Sequence, residues 1–295
     1  MIGFIFALLA GFLVALSDAL NKKYFSDKGT SYMVFARTVG SLPFLLPLFL
    51  YLTFFKGVGV GYFSPQFMVV VGILLGLETL ATFLYMKGIK VSPLSVSVPF
   101  LSFTPVFIIL TGYFLLGERV SLEGAMGILL VVAGSYVINF PSARLGWLEP
   151  IKAIKKEKGS FLLLQVALIY SITSVLGKKG LLLTDPLWFS SFYFTLLGIS
   201  AGLVVKVFYQ IEVGSFLKTQ IKGIFLVGLT QALMCYCHMI ALSQLETAYM
   251  IALKRTSILF SVVLGYFFFK ESYFGLRLVA AGLMLTGVCL IMFFK

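Results

Sequence analysis

Charge is what this sequence has least of. Asp, Glu, Lys and Arg make up only 12% of its 295 residues, against 60% hydrophobic residues and a mean hydropathy of +1.05. Soluble domains carry about 25% charge and about 45–50% apolar residues, so a water-soluble globular fold is excluded, and intrinsic disorder with it. Acids are the scarcer sign, 11 against 23 basic residues, giving a formal net charge of +12. The basic residues lie between apolar runs, where they act as topology signals and phospholipid contacts and not as a nucleic-acid footprint. Cysteine is rare too: Cys235, Cys237 and Cys289 all fall within apolar runs, which argues against a disulfide framework. No Gly-rich phosphate loop with Lys and Ser/Thr occurs, which argues against direct ATP drive. The apolar run from Ile2 has no basic segment before it and no small-residue cleavage site, so it reads as a retained first span.

What is present is length without charge. Ten spans of about 20 residues would occupy about 200 positions, and the sequence accommodates them. Apolar runs bounded by Lys, Gly, Pro and Asp clusters place spans near 2–20, 32–55, 67–87, 94–116, 122–140, 160–177, 187–208, 222–242, 247–269 and 273–294. The fold class expected is all-α integral membrane, because the turns are too short and the spans too long for a barrel of alternating strands. The segment 141–159, with Arg144, Lys152, Lys155, Lys156 and Lys158, is a basic connecting loop between five-helix units at 1–140 and 160–295.

These units look like copies. A gap-free shift that carries Gly112-Tyr113-Phe114 onto Gly265-Tyr266-Phe267 also carries Glu118 onto Glu271 and Gly134 onto Gly287. With an odd number of spans per copy the second must insert upside down, giving two inverted five-helix repeats. Charge agrees. Loops after spans 1, 3, 5, 7 and 9 carry Lys22, Lys23, Lys28, Lys87, Lys90, Arg144, Lys152, Lys155, Lys156, Lys158, Lys206, Lys218, Lys222, Lys270 and Arg277; the opposite side carries Lys56, Arg119, Lys178, Lys179 and Lys295. The positive-inside rule puts the rich face in the cytoplasm and both termini outside.

At Gly117-Glu118-Arg119, at Lys254-Arg255-Thr256-Ser257 leading to Gly265, at Lys270-Glu271, and at Asn21-Lys22-Lys23, the sequence resembles the drug/metabolite transporter superfamily, EamA type. The resemblance covers essentially the whole chain. It implies spans 1 to 4 and 6 to 9 around a central cavity, spans 5 and 10 at the periphery, alternating access, and both termini in the cytoplasm, contrary to the charge count. It leaves the substrate open, since members move amino acids, sugars, nucleotide sugars, lipids and drugs.

The polar residues inside the spans bear on function directly. Ionised side chains near the bilayer centre cost about 2.5–3.5 kcal/mol each, so Arg37, Glu78, Lys254 and Arg255 must line a wet cavity or pair with one another. Glu78 is the deepest, and Gln231 is its counterpart in the second copy. Lys254 and Arg255 lie roughly 11 Å inside span 9 at 1.5 Å per residue, with Lys254 continuing a strip through Ser257, Ser261 and Gly265. A Glu78–Lys254 salt bridge is one expectation; substrate binding by Arg37, Glu78, Tyr193, Gln231, His238, Lys254 and Arg255 is the other. Three cations against Glu78 give the cavity a charge of about +2, favouring a carboxylate or phosphate, or an amino acid whose amine meets Glu78.

Glu78 is also the proton-coupling candidate, with His238, the only histidine, as a second. His238 equally suits plain helix packing. Cys235 and His238 approach one helical face but Cys237 does not, so no metal is expected. Prolines 43, 47, 99 and 105 loosen spans 2 and 4. Glu118 and Glu271 are expected as structural helix-end residues capping spans 5 and 10.

The function expected is secondary transport of a small metabolite, favouring an amino acid or other small organic anion or zwitterion. Proton-coupled export across the plasma membrane fits this. Its partners would be that substrate, membrane lipid and a second copy in a homodimer, with no nucleic acid and no cofactor. The alternatives are a membrane-embedded enzyme, a channel, or a carrier of drugs, nucleotide sugars or lipids. An enzyme would need a catalytic carboxylate pair, a Ser/His pair or a His-rich metal site, and a channel would need charge rings or a carbonyl filter.

Overall fold

The computed structural model describes residues 1–59, 61–92, 97–137, 158–269 and 275–294. Glu271 and most of the basic connecting loop lie outside the described residues. Every described regular element is helical, as a lipid environment demands: backbone N–H and C=O groups there have no water to pair with, and a helix pairs them internally.

The first half contains α1 (Ile2–Phe25), α2 (Thr30–Thr38), α3 (Leu42–Leu50), α4 (Pro65–Val91), α5 (Thr104–Leu116) and α6 (Leu122–Val137). The second contains α7 (Lys158–Leu181), α8 (Pro186–Tyr209), α9 (Val213–Gln244), α10 (Thr247–Lys254), α11 (Ser257–Phe269) and α12 (Gly275–Phe294). Among the described residues, six helical stretches are long and apolar enough to cross a membrane: 2–25, 30–55, 65–91, 158–181, 186–209 and 213–244. Shorter apolar helices at Phe100–Leu116, Leu122–Ser135 and Ala280–Phe293 accompany them.

Local chemistry sets several boundaries. Pro65 and Pro186 open their helices, where the missing N–H costs nothing, and the preceding Ser64 and Asp185 accept from the exposed amides of the first turn. Pro43 and Pro47 interrupt the second stretch: a 3-10 turn at Val39–Ser41 separates α2 from α3, and a π turn at Tyr51–Phe55 follows. Pro105 opens α5 behind a 3-10 segment at Val98–Phe103.

Polarity is distributed inside out. Phe54, Phe55, Phe114, Phe208 and Phe293 are among the most exposed side chains, whereas Asp18, Arg37 and Arg255 are buried. Water would oppose that arrangement and lipid favours it. α1 packs chiefly on α9, α4 on α7, and α6 on α12. Glycine is needed at the α6–α12 seam and where α9 meets the Val39–Ser41 turn. A Cβ on Gly287 would lie 2.5 Å from the Gly127 carbonyl oxygen, and one on Gly228, in α9, 1.9 Å from that of Gly40. Small residues thus let the helices approach to backbone contact.

Candidate functional site

A cavity of about 1050 Å³, open space at its mouth included, lies among the helices. Its described lining comes from α1, α2, α4, the Val98–Phe103 segment and α7 to α11; neither α6 nor α12 contributes. All seven residues singled out for binding reach this one cavity: Arg37 on α2, Glu78 on α4, Tyr193 on α8, Gln231 and His238 on α9, Lys254 on α10, and Arg255 beyond it.

Their pairings differ from the expected ones. Arg37 Nη1 is bonded to Asp18 Oδ1 on α1, and the Tyr85 hydroxyl on α4 donates to Asp18 Oδ2. The Arg37 guanidinium also lies over the Tyr85 ring, 5.1 Å from its centroid. Arg37 and Asp18 are 7% and 5% exposed, so this is an internal ion pair with both carboxylate oxygens occupied.

The expected Glu78–Lys254 bridge does not form. Lys254 Nζ lies 3.1 Å from His238 Nδ1, and Glu78, half-buried, faces the Thr173 hydroxyl of α7. A lysine ammonium has only protons to give, so Nδ1 accepts and the imidazole N–H sits on Nε2. Arg255 is 8% exposed; its Nη2 donates to Thr104 Oγ1 at 3.0 Å, and its Nε has no partner. The buried Gln231 Oε1 has none either, while its Nε2 points at Cys235 Sγ at 3.6 Å. The sequence-based sum of +2 omitted Asp18. Asp18 and Glu78 against Arg37, Lys254 and Arg255 leave a formal +1, and that excess sits with Lys254 and Arg255, which have no carboxylate partner among the described residues.

The backbone opens where these cations stand. The expected continuous span over 247–269 is interrupted: α10 stops at Lys254 and α11 begins at Ser257, with the Thr256 hydroxyl bonding back to the Leu253 carbonyl. Arg255 thereby reaches across to Thr104, where α5 begins after its own 3-10 segment.

Glu118 caps a helix, but not the expected one. Its carboxylate accepts from Thr247 N at 3.0 and 3.2 Å and from Thr247 Oγ1 at 3.1 Å, at the start of α10 and not of α6. Lys178 Nζ, at the end of α7, lies 2.7 Å from Glu118 Oε1 and donates to the Leu245 carbonyl at 2.6 Å. Far away, Lys22 Nζ at the end of α1 donates at 3.2 Å to the Ile89 and Ser92 carbonyls. Asp18, Tyr85, Tyr170 and Thr173 line the cavity without having been singled out in the sequence.

A bundle of long apolar helices enclosing a cavity lined by charged side chains defines a multi-pass membrane protein. The model of the EamA-like transporter family matches residues 1–140 and again 157–293, and the chain belongs to that family, whose members are transporters of small substrates and not enzymes. A solved structure titled "Crystal structure of protein" shares the fold, with a TM-score of 0.69 at 20% identity over 98% of this chain and 95% of its own. No curated protein sequence matches the chain.

Proposed function

We propose that this protein is a secondary transporter that carries a small carboxylate-bearing metabolite, an amino acid or another small organic anion, by alternating access. The observation that carries this is the pair of cavity cations, Lys254 and Arg255, neither of which is ion-paired to a carboxylate among the described residues. Uncompensated cations inside a membrane are costly, and a bound anion removes that cost.

Alternating access is supported by internal symmetry. The shift that relates Glu118 to Glu271 also relates Thr104 to Ser257, the first residues of α5 and α11, and Ser92 to Leu245. Ser92 and Leu245 end α4 and α9 with nearly equal backbone angles, φ −134° and ψ 155° against φ −126° and ψ 152°, and their carbonyls receive Lys22 and Lys178. Helix partners exchange in the same way: α1 with α9 corresponds to α7 with α4, and α6 with α12 maps onto itself. Two inverted five-span units of this kind exchange roles when the cavity changes sides.

Glu78 is the coupling carboxylate in this scheme, because it lines the cavity without an ion-pair partner, and the plasma membrane is the site of action. The test is counterflow into proteoliposomes with a labelled panel of amino acids and monocarboxylates, with and without a pH gradient. Saturable counterflow of a carboxylate is expected. Proton-driven accumulation should disappear in Glu78→Gln while exchange persists. Movement without saturation indicates a channel, and product formation without vectorial movement an enzyme.

A further inference from the structure

The cavity's charges form two unlike groups. One is closed: Asp18 gives one carboxylate oxygen to Arg37 and the other to Tyr85, and the Tyr85 ring lies beneath the guanidinium. The other is open: among the described residues, Lys254 meets the neutral His238 and Arg255 the Thr104 hydroxyl, with a buried Nε left over. Glu78 lines the same cavity, and among the described residues it has no ion-pair partner.

We propose that Asp18 sets the charge of the substrate: by neutralising Arg37 from inside, it leaves one cationic pole and restricts the cavity to ligands with a single anionic group. This deepens the transporter reading and rests on it for the site's purpose. In a low-dielectric cavity each unmatched charge is expensive, so recognition follows the charge balance. The five formally charged side chains of the described lining, Asp18, Glu78, Arg37, Lys254 and Arg255, leave a formal +1. A monoanion closes that count. A zwitterionic amino acid leaves the net count at +1, but it still places its single carboxylate at the same pole and its ammonium at Glu78. A dianion, such as a dicarboxylate or a phosphate ester, overshoots it with two carboxylates already in the cavity. The same geometry disfavours Arg37 as a bidentate clamp, since Asp18 takes its Nη1 and Tyr85 covers one face of the guanidinium. Arg37 therefore lines the cavity as a held charge, and Asp18 is a specificity residue acting through it.

The experiment compares full-length wild type with Asp18→Asn, Asp18→Glu and Asp18→Asn/Arg37→Gln. Binding to detergent-solubilised protein is measured by calorimetry for L-alanine, lactate, succinate and glycerol 3-phosphate. Wild type is expected to favour the single carboxylates. Asp18→Asn, which frees Arg37, should raise the affinity ratio of dianion to monoanion by about tenfold or more. Such a gain cannot arise from misfolding. Asp18→Glu should keep the wild-type preference. So should the double variant, which deletes the pair without changing the balance, and it stands as the test if Asp18→Asn fails to fold. An unchanged ratio in Asp18→Asn overturns the proposal, as does a wild type that already prefers dianions. Loss of monoanion binding in the double variant also overturns it, because Arg37 would then be a direct ligand. Absence of binding by all four compounds overturns it as well. Counterflow of the same compounds separates this outcome from the transporter reading: a shifted ratio without vectorial exchange leaves Asp18's role standing and removes the carrier.

Discussion

Arg255 Nη2 and Thr104 Oγ1 are joined across 3.0 Å, and that hydrogen bond ties together the two interrupted segments of the bundle, the start of α5 and the gap between α10 and α11. Among the described residues it is the one hydrogen bond of a guanidinium whose Nε stays unpaired. A group held this lightly is available to a ligand. Replacing it with Ala removes one charge-to-hydroxyl hydrogen bond and strands no carboxylate. Arg255→Ala should therefore unfold within about 1–2 kcal/mol of wild type while losing affinity for carboxylates by about tenfold to a hundredfold. Thermal unfolding in detergent and counterflow check the two halves separately.

Arg37→Ala should behave oppositely. It abandons Asp18, which is 5% exposed, and breaking a buried pair from one side costs about 3–5 kcal/mol. A large fall in midpoint temperature is expected, mostly recovered when Asp18→Asn is added. Equal stability of the single and double variants would show that the pair is not a closed unit.

Glu118 and Lys178 bind the ends of α5 and α7 to the α9–α10 junction, with side chains 11% and 12% exposed. Glu118→Ala removes both the ion pair and the cap on Thr247, at a cost of about 3 kcal/mol, whereas Glu118→Gln keeps an acceptor for the cap and should cost less. Because the two residues share one network, Glu118→Ala with Lys178→Met should destabilise by less than the sum of the single changes, read by a double-mutant cycle of unfolding midpoints.

Much of this was legible in the sequence because polar residues in apolar spans are rare and costly. Their cost marked Arg37, Glu78, Gln231, His238, Lys254 and Arg255, and the fold gathers them all at one cavity. Asp18 was hidden by context. It stands just before Asn21-Lys22-Lys23 and reads as the end of a span, but α1 continues to Phe25 and carries it inward. Tyr85 and Tyr170 were hidden among many aromatics that lipid-facing helices also contain. The gap after Lys254 carries neither Pro nor Gly; at it the Thr256 hydroxyl bonds to the Leu253 carbonyl and Arg255 reaches Thr104, 151 residues away. The partner of Glu118 is 129 residues away, which no local cap rule can reach.

The α6–α12 seam lies apart from the cavity, so damage there should leave chemistry intact. Gly287→Leu would drive a side chain into the Gly127 carbonyl and Val131, costing about 1–3 kcal/mol. Lower thermal stability with unchanged substrate affinity is expected, from unfolding midpoints and concentration-dependent counterflow. A change in affinity would mean that the seam and the cavity are coupled.

The central claim is that the cationic pole of the cavity recognises what the protein carries, and Lys254→Ala counterflow tests it most directly. Proteoliposomes loaded with each unlabelled panel compound are exposed to its labelled form, with wild type and variant in parallel. The account predicts transient accumulation of a carboxylate in wild type, reduced at least about tenfold in initial rate at low concentration by Lys254→Ala. Transport of neutral or cationic drugs that Lys254→Ala leaves unaffected would contradict it.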